Sequence, residues 1–231
     1  PTTFIILILY IISSFLMLFL PKAEVEVLES ETNLEILLKG WKLVARDPRL
    51  RLFVSANLFE IFSNTIWVSS IILVFVTELL NETESYWGYS NTAYSIGIII
   101  SGLIAFRLSE KFLAAKWESI LFPLVAMAIV TLTILYFPNA QMFLVFSALV
   151  GMLSQLKEVP ESVFLQETVE ENNLVNVYSV LEVISTLAFS VFVLLMSYIT
   201  ESFGISISFW ISAICLVIEA ILIYIRRDYF K

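Results

Sequence analysis

Three polar side chains in one long apolar segment are spaced to form a site for a proton or a polar ligand. Asn57, Glu60 and Asn64 stand at i, i+3 and i+7, on one face of a helix. Glu60 lies about eight residues into the segment, or about 12 Å along a helix. A carboxylate in an apolar span is costly unless it faces protein, water or a partner. The pattern predicts a proton or substrate site; the alternative is an interhelical hydrogen-bond cluster that only fixes packing.

Two further acids lie inside later apolar segments. Glu182 and Glu219 stand about six residues from the ends of these segments. Each is a candidate proton relay, although either could reach the lipid headgroups or pair with a basic loop residue. For Lys157 and Glu158, just before Pro160, we expect an ion pair at the end of a helix.

Other residues inside the apolar segments could contact a ligand or a neighbouring helix. Trp67 is deep enough to touch an apolar substrate, and Asn91 supplies an amide, although core packing is the simpler interpretation of Trp67. Gly97, Ser101 and Ala105 recur every four residues, which is typical of a surface where two helices pack closely.

Composition excludes much other chemistry and places the chain in a bilayer. Hydrophobic residues make up 59% of the 231 residues and charged residues only 15%, far from the norm for soluble proteins. The chain has no histidine and one cysteine, Cys215, so we predict no metal site, no cofactor and no enzyme activity. A net charge of -8 argues against nucleic acid as a partner.

About seven apolar runs are long enough to cross the hydrocarbon core as helices. The predicted fold class is therefore an all-α polytopic membrane helix bundle. The runs cover residues 2–20, 52–79, 87–107, 118–137, 141–157, 176–200 and 204–225.

Charge is divided between the two sides of this bundle. The connections after the first, third, fifth and seventh spans contain all 13 Lys and Arg residues. The opposite connections carry Glu82, Glu84 and Glu201. By the positive-inside rule the C-terminus is cytoplasmic and the first residues are outside. We expect a multi-pass membrane protein, with the lipid bilayer as its first partner.

The first connection is much longer than the others. Its second part, residues 34–45, has an apolar stripe that predicts an amphipathic helix at the cytoplasmic interface, ending near Asp47 and Pro48. A juxtamembrane anchor and a link between two moving halves are both open interpretations. The stripe consists of Leu34, Leu37, Leu38, Trp41, Val44 and Ala45.

One span, a long loop and six closely joined spans resemble the major facilitator superfamily, whose members join two six-helix halves through a long cytoplasmic loop. GWKLVARDPRLRLFVSANLFEIFSNTIWVSSIILVFV resembles the entry into helix seven of bacterial exporters similar to macrolide-efflux and enterobactin-export proteins, and YWGYSNTAYSIGIIISGL resembles helix eight. VPESVFLQETVEENNLVNVYSVLEVI resembles the cytoplasmic junction before helix eleven.

The resemblance implies a domain arrangement and a loop motif. Residues 1–21 would be the helix that ends the N-terminal half, 22–51 the loop between halves, and 52–231 the six-helix C-terminal bundle. In GLIAFRLSEK, Gly102, Arg107 and Lys111 resemble the family's cytoplasmic loop motif, with Phe106 where the family has an Asp. The remaining N-terminal half would then be a partner missing from this chain, which begins at Pro1.

The resemblance further implies a secondary active transporter in a bacterial plasma (inner) membrane. We expect proton-coupled efflux of drug-like or amphipathic small molecules, with a chain of this length unable to transport alone. The same residues are compatible with sodium coupling or facilitated diffusion. A seven-helix membrane receptor and a non-transporting membrane scaffold remain the alternatives.

Overall fold

The structure, a computed structural model, describes residues 2–17, 19, 33–114 and 116–230, and most of these residues are helical. The described residues contain no strand, as the predicted fold class requires. The α-helices are α1 Thr2–Met17, α2 Asn33–Arg46, α3 Pro48–Asn64, α4 Ser69–Val74, α5 Ser85–Ala114, α6 Lys116–Tyr136, α7 Ala140–Thr168, α8 Glu171–Phe203 and α9 Ile205–Ile225. Short 3-10 turns cover Thr65–Trp67 and Arg227–Phe230, and a π-helical turn covers Phe75–Leu79.

The chain divides into two compact units, residues 1–35 and 36–231. The first contains α1, which is 16 residues long. Part of the first predicted span, 2–20, lies outside the described residues. The second unit contains α3 to α9 and all of the site described below.

Five helices in the described part of the chain are long and apolar enough to cross a membrane: α6, α7, α8, α9 and residues Ser85–Arg107 of α5. Residues Pro48–Trp67 and Ile71–Leu79 make a sixth if this pair, bent by 47°, is one span. The six correspond to the last six predicted spans. The second unit is thus a polytopic helix bundle.

Three helices extend beyond the predicted spans. The span predicted to end at Lys157 continues as α7 through Pro160 to Thr168. Likewise α5 runs on to Ala114 and α8 begins at Glu171. Hydropathy marks the apolar part of a helix, whereas backbone hydrogen bonding continues through the polar turns that follow it.

Asp47 fixes where α3 begins. Its Oδ1 accepts a hydrogen bond from the backbone N–H of Arg49 at 2.8 Å, and Pro48 occupies the first turn, where its missing N–H costs nothing. Partial burial opposes ionisation, but the hydrogen bonds and charge of Arg49 outweigh it and hold the pKa of Asp47 below its usual value. This cap sets the helical register that carries Glu60.

Helices α5 and α7 pack with their backbones in direct contact. A Cβ atom on Gly97 would overlap the carbonyl oxygen of Ala148, and one on Gly151 would overlap that of Tyr94. Ser101 is also buried, as is Ala105. The predicted small-residue packing surface is confirmed.

Aromatic rings and a serine pair hold the remaining helices together. The ring of Phe75 lies 5.4 Å from that of Phe143 and 4.8 Å from that of Phe209, centroid to centroid. The hydroxyl oxygens of Ser63 and Ser212 are 2.6 Å apart, so α3 and α9 are hydrogen-bonded deep in the bundle. These contacts bring the polar faces of α3, α7 and α9 together.

Helix α2 contacts α8 at Gly40. Gly40 lies directly against the backbone of Asn176 in α8, and Val44 is buried. Leu38 and Trp41, both expected on the same stripe as Val44, are 42% and 44% exposed. Close approach at Gly40 sets this contact, and a hydropathy pattern does not register it.

Candidate functional site

Four charged side chains from three helices meet inside the bundle. The Nζ atom of Lys157 in α7 donates to Glu60 Oε2 in α3 at 2.7 Å and to Glu161 Oε1, one turn along α7, at 2.6 Å. It lies 3.8 Å from Glu219 Oε1 in α9. We call these four residues the ionic network.

The ionic network is almost completely removed from solvent. The side chains of Lys157 and Glu219 are 2% and 1% exposed, and those of Glu60 and Glu161 are 9% and 12% exposed. Ions are expensive to bury, and only close pairing offsets the cost. Three carboxylates face one ammonium, so the fully ionised network carries two uncompensated negative charges.

The sequence-based interpretation of Lys157 was wrong. We expected it at a helix end, paired with Glu158, in a cytoplasmic connection. Instead it lies in the middle of α7 and binds Glu60 and Glu161, while Glu158 is exposed. Local sequence could not reveal Glu60 as its partner, because 97 residues separate the two; the spacing of Lys157 and Glu161 was the available signal.

A cavity of about 370 Å³ opens onto the ionic network; we call it the acidic cavity. Asn57, Glu60 and Asn64 all line it, as their common helix face allows. The amide of Asn57 donates to Glu60 Oε2 at 3.4 Å. Glu182 lines the same cavity from α8, is exposed, and accepts a long hydrogen bond from the hydroxyl of Thr186 at 3.5 Å.

A second cavity, of about 290 Å³, adjoins the first; we call it the aromatic cavity. Trp67 and Asn91 line it. The indole of Trp67 stacks on Phe143 with centroids 6.3 Å apart, and the amide of Asn91 donates to the carbonyl of Trp87 at 3.1 Å. Asn64 and Ser154 line both cavities.

The structure brings six of the predicted pathway residues to these cavities and the seventh to the ionic network. Glu219 is the seventh, and it lies buried against Lys157. The predicted loop motif lies elsewhere: Gly102, Arg107 and Lys111 are all within α5. Arg107 is exposed and forms no ion pair with a described residue, and Phe106 is 86% exposed.

The three carboxylates of the ionic network lie close together. Oxygen atoms of Glu60, Glu161 and Glu219 all lie within 4.8 Å of one another, close enough to share a cation. Lys157 supplies one such charge now. A proton arriving on a carboxylate would compete with the ammonium for that oxygen, so protonation and the position of Lys157 are linked.

A comparison with protein families identifies this bundle. The family model described as Major Facilitator Superfamily matches residues 53–231. The chain belongs to the Major Facilitator Superfamily. The match covers α3 to α9 almost completely, and therefore the ionic network and both cavities.

Two curated superfamily proteins of Bacillus subtilis (strain 168) are similar to the chain. One, described as the uncharacterized MFS-type transporter YfmI, is 26% identical over 80% of this chain and 46% of its own length. The other, the uncharacterized MFS-type transporter YjbB, is 28% identical over 81% of this chain and 46% of its own length. The chain thus spans about half the length of the curated relatives it matches. No solved structure matches it.

Proposed function

We propose that this chain supplies one half of a proton-coupled secondary transporter that exports drug-like or amphipathic small molecules. The observation that carries the proposal is the buried ionic network at the wall of the acidic cavity. Superfamily membership and relatives described as transporters favour this function over a receptor or a scaffold. The residues proposed for the pathway are Asn57, Glu60, Asn64, Trp67, Asn91, Glu182 and Glu219.

Coupling works through competition for the carboxylates. When the acidic cavity is open to one side of the membrane, Glu60 takes up a proton and its hold on Lys157 weakens. The ammonium then depends on Glu161 and Glu219, and the contact between α3 and α7 loosens. Because burial penalises an unpaired ion, the proton and the helix arrangement favour each other, as alternating access requires.

Several features support the remaining parts of the proposal. Efflux is supported by the resemblance of residues 40–76 to bacterial exporters. A bacterial plasma (inner) membrane is supported by the similarity to Bacillus subtilis proteins, and a cytoplasmic C-terminus by the segregation of Lys and Arg. The second half of the cavity comes from a preceding six-helix half, of which residues 2–20 would be the last helix. Residues 22–51 join the halves.

The test uses the complete open reading frame expressed in everted membrane vesicles. Respiration generates a pH gradient, and a panel of amphipathic compounds is added to wild type and to Glu60→Gln. The amide that this substitution introduces still accepts a hydrogen bond from Lys157 but cannot take up a proton. We expect compounds that dissipate the gradient through the wild type to leave it intact in the variant.

Glu201→Gln is the matched control, because Glu201 is exposed at the end of α8, outside both cavities. It should behave as wild type. If wild type and Glu60→Gln dissipate the gradient equally, Glu60 takes no part in proton coupling. A gradient that no compound disturbs would contradict proton antiport itself.

A further inference from the structure

We propose that the acidic and aromatic cavities together bind an organic cation, with its charged head between the carboxylates and its aromatic body among the indole and phenol rings. This names the substrate class of the proposed transporter and rests on that function. The ligand is recognised by a permanent positive charge carried on an aromatic group.

Negative charge dominates the acidic cavity. Four carboxylates line it, and Lys157 is its one basic lining residue among the described residues. That ammonium is held by two carboxylates at 2.6 and 2.7 Å, so little of its field reaches the cavity. The lining acids are Glu60, Glu158, Glu161 and Glu182. Glu158 and Glu182 are exposed and form no ion pair with a described residue, so a cation can approach both.

An unpartnered buried oxygen points independently to missing positive charge. Glu219 Oε2 has no hydrogen-bond partner, although its residue is only 1% exposed. A carboxylate oxygen buried in this way costs free energy unless a charge lies near it. Glu219 shares the ammonium of Lys157 with two other carboxylates. A cation beside Glu60 and Glu161 would partly balance the excess negative charge of the three carboxylates, because the oxygens of Glu60 and Glu161 lie within 4.8 Å of those of Glu219.

The aromatic cavity specifies the rest of the ligand. Its wall contains the rings of Trp67, Trp87, Tyr94 and Phe189. The faces of such rings attract cations and stack on other aromatic groups. Asn64 and Ser154 line the acidic cavity as well, so the two cavities are neighbours, and the proposed ligand places its head in one and its body in the other.

Charge and shape together favour an organic cation over the other ligand classes. An anion entering the acidic cavity would meet four carboxylates, and the one lysine there is already paired with Glu60 and Glu161. A neutral amphipathic molecule would fill the aromatic cavity but would gain nothing from the carboxylates. A small inorganic cation would satisfy the carboxylates but would leave the aromatic wall without a function.

A matched set of three probes tests the proposal on the purified protein expressed from its complete open reading frame. The cation is a naphthylbutyl-trimethylammonium, the neutral isostere has carbon in place of nitrogen, and the anion is a naphthylbutyl sulfonate. Binding is measured by isothermal titration calorimetry. We expect the cation to bind about tenfold more tightly than the isostere or more, and the sulfonate not to bind.

Substitutions assign the two ends of the ligand. Glu182→Gln should weaken binding of the cation about tenfold and leave the isostere unchanged, since only the charged head faces Glu182. Trp67→Ala should weaken the binding of both the cation and the isostere. Glu201→Gln, outside both cavities, should alter neither.

Three results would overturn the proposal. The first two are an isostere that binds as tightly as the cation and a sulfonate that binds more tightly than the cation. The third is that sodium ion abolishes binding of the cation and itself binds to wild type but not to Glu182→Gln. Transport is scored separately in vesicles. A cation that binds but is never moved would refute the transporter and leave the cation site standing. A neutral or anionic compound that is moved, without cation binding, would refute the cation site and leave transport standing.

Discussion

Lys157 is the residue on which the ionic network depends. Its ammonium is shared among three carboxylates from three helices, so its removal leaves three buried negative charges side by side. Removing one partner of a buried ion pair costs about 3–5 kcal/mol in other proteins, mostly because an uncompensated charge remains. The network therefore acts in stability as well as in the proposed coupling.

Lys157→Met should lower the free energy of unfolding by about 3 kcal/mol or more. Methionine fills a similar volume but brings no charge, so Glu60, Glu161 and Glu219 repel one another. Thermal unfolding of the purified protein in detergent measures the effect as a fall in the transition midpoint.

Two further variants isolate charge from volume. Lys42→Met replaces an exposed lysine of α2 and should leave the midpoint unchanged within about 0.5 kcal/mol. Adding Glu161→Gln to Lys157→Met should recover part of the loss, because one of the repelling charges is gone. A double variant less stable than Lys157→Met would contradict the charge argument.

Sequence spacing located part of the site. Asn57, Glu60 and Asn64 were predicted on one helix face, and the structure places all three on the wall of one cavity. Helical periodicity carries such information because it is local. The approach of Glu60 to Lys157 depends on how α3 packs against α7, which no local pattern contains.

At the scale of whole helices, α5 and α7 approach each other closely. Among the glycines, a Cβ atom on Gly97 would have the shortest distance to the backbone of another helix. Gly97 faces Ala148 and Gly151 faces Tyr94, each without room for a side chain. The two helices present Tyr94, Ser147 and Ser154 to the cavities. A change in the separation of α5 and α7 would therefore move part of the wall of the aromatic cavity.

Gly97→Ala should destabilise the protein by about 1–3 kcal/mol, because the new methyl group forces the two backbones apart. The same thermal unfolding measurement reports it. Ligand binding in the aromatic cavity should weaken in parallel.

Gly102→Ala is the control within the same helix. A Cβ atom there meets no atom within 4 Å, so the substitution adds helix propensity without a clash. Its midpoint should stay the same or rise. Equal losses from both substitutions would show that glycine is needed for flexibility of α5 and that the close contact is not the cause.

Helix limits were predictable where charge and apolar character change together. The predicted spans 118–137 and 204–225 agree with α6 and α9 within two residues at each end. The end of α7 was missed because Lys157 was taken as a surface residue. In the structure Lys157 is buried against Glu60 and Glu161, and α7 continues past it to Thr168.

For the molecule as a whole, the division of charge predicts how it is inserted. All Lys and Arg residues except the buried Lys157 lie on one side of the predicted topology. The loop between α7 and α8 then faces the cytoplasm, and the loop before α5 faces outward.

Single cysteines in a Cys215→Ser background test this orientation. Glu84 and Glu170 are exposed acids in these two loops, so Glu84→Cys and Glu170→Cys are matched substitutions. A membrane-impermeant maleimide added to intact cells should label the Glu84→Cys variant alone. After permeabilisation it should label both variants.

The Cys215→Ser protein without a new cysteine serves as the blank, since Cys215 is the only cysteine of the chain. Labelling of the Glu170→Cys variant in intact cells, with the Glu84→Cys variant protected, would mean that the chain is inserted the other way round. The division of Lys and Arg would then not predict the orientation of this protein.

Pro160 gives the molecule a mechanical property. It lies inside α7 between Lys157 and Glu161, and it has no N–H to donate to the carbonyl of Leu156. Helix α7 is therefore easiest to bend at the turn that joins Lys157 to Glu161. A force that bends α7 acts mainly at Pro160. Bending of α7 and separation of Lys157 from Glu161 therefore occur together.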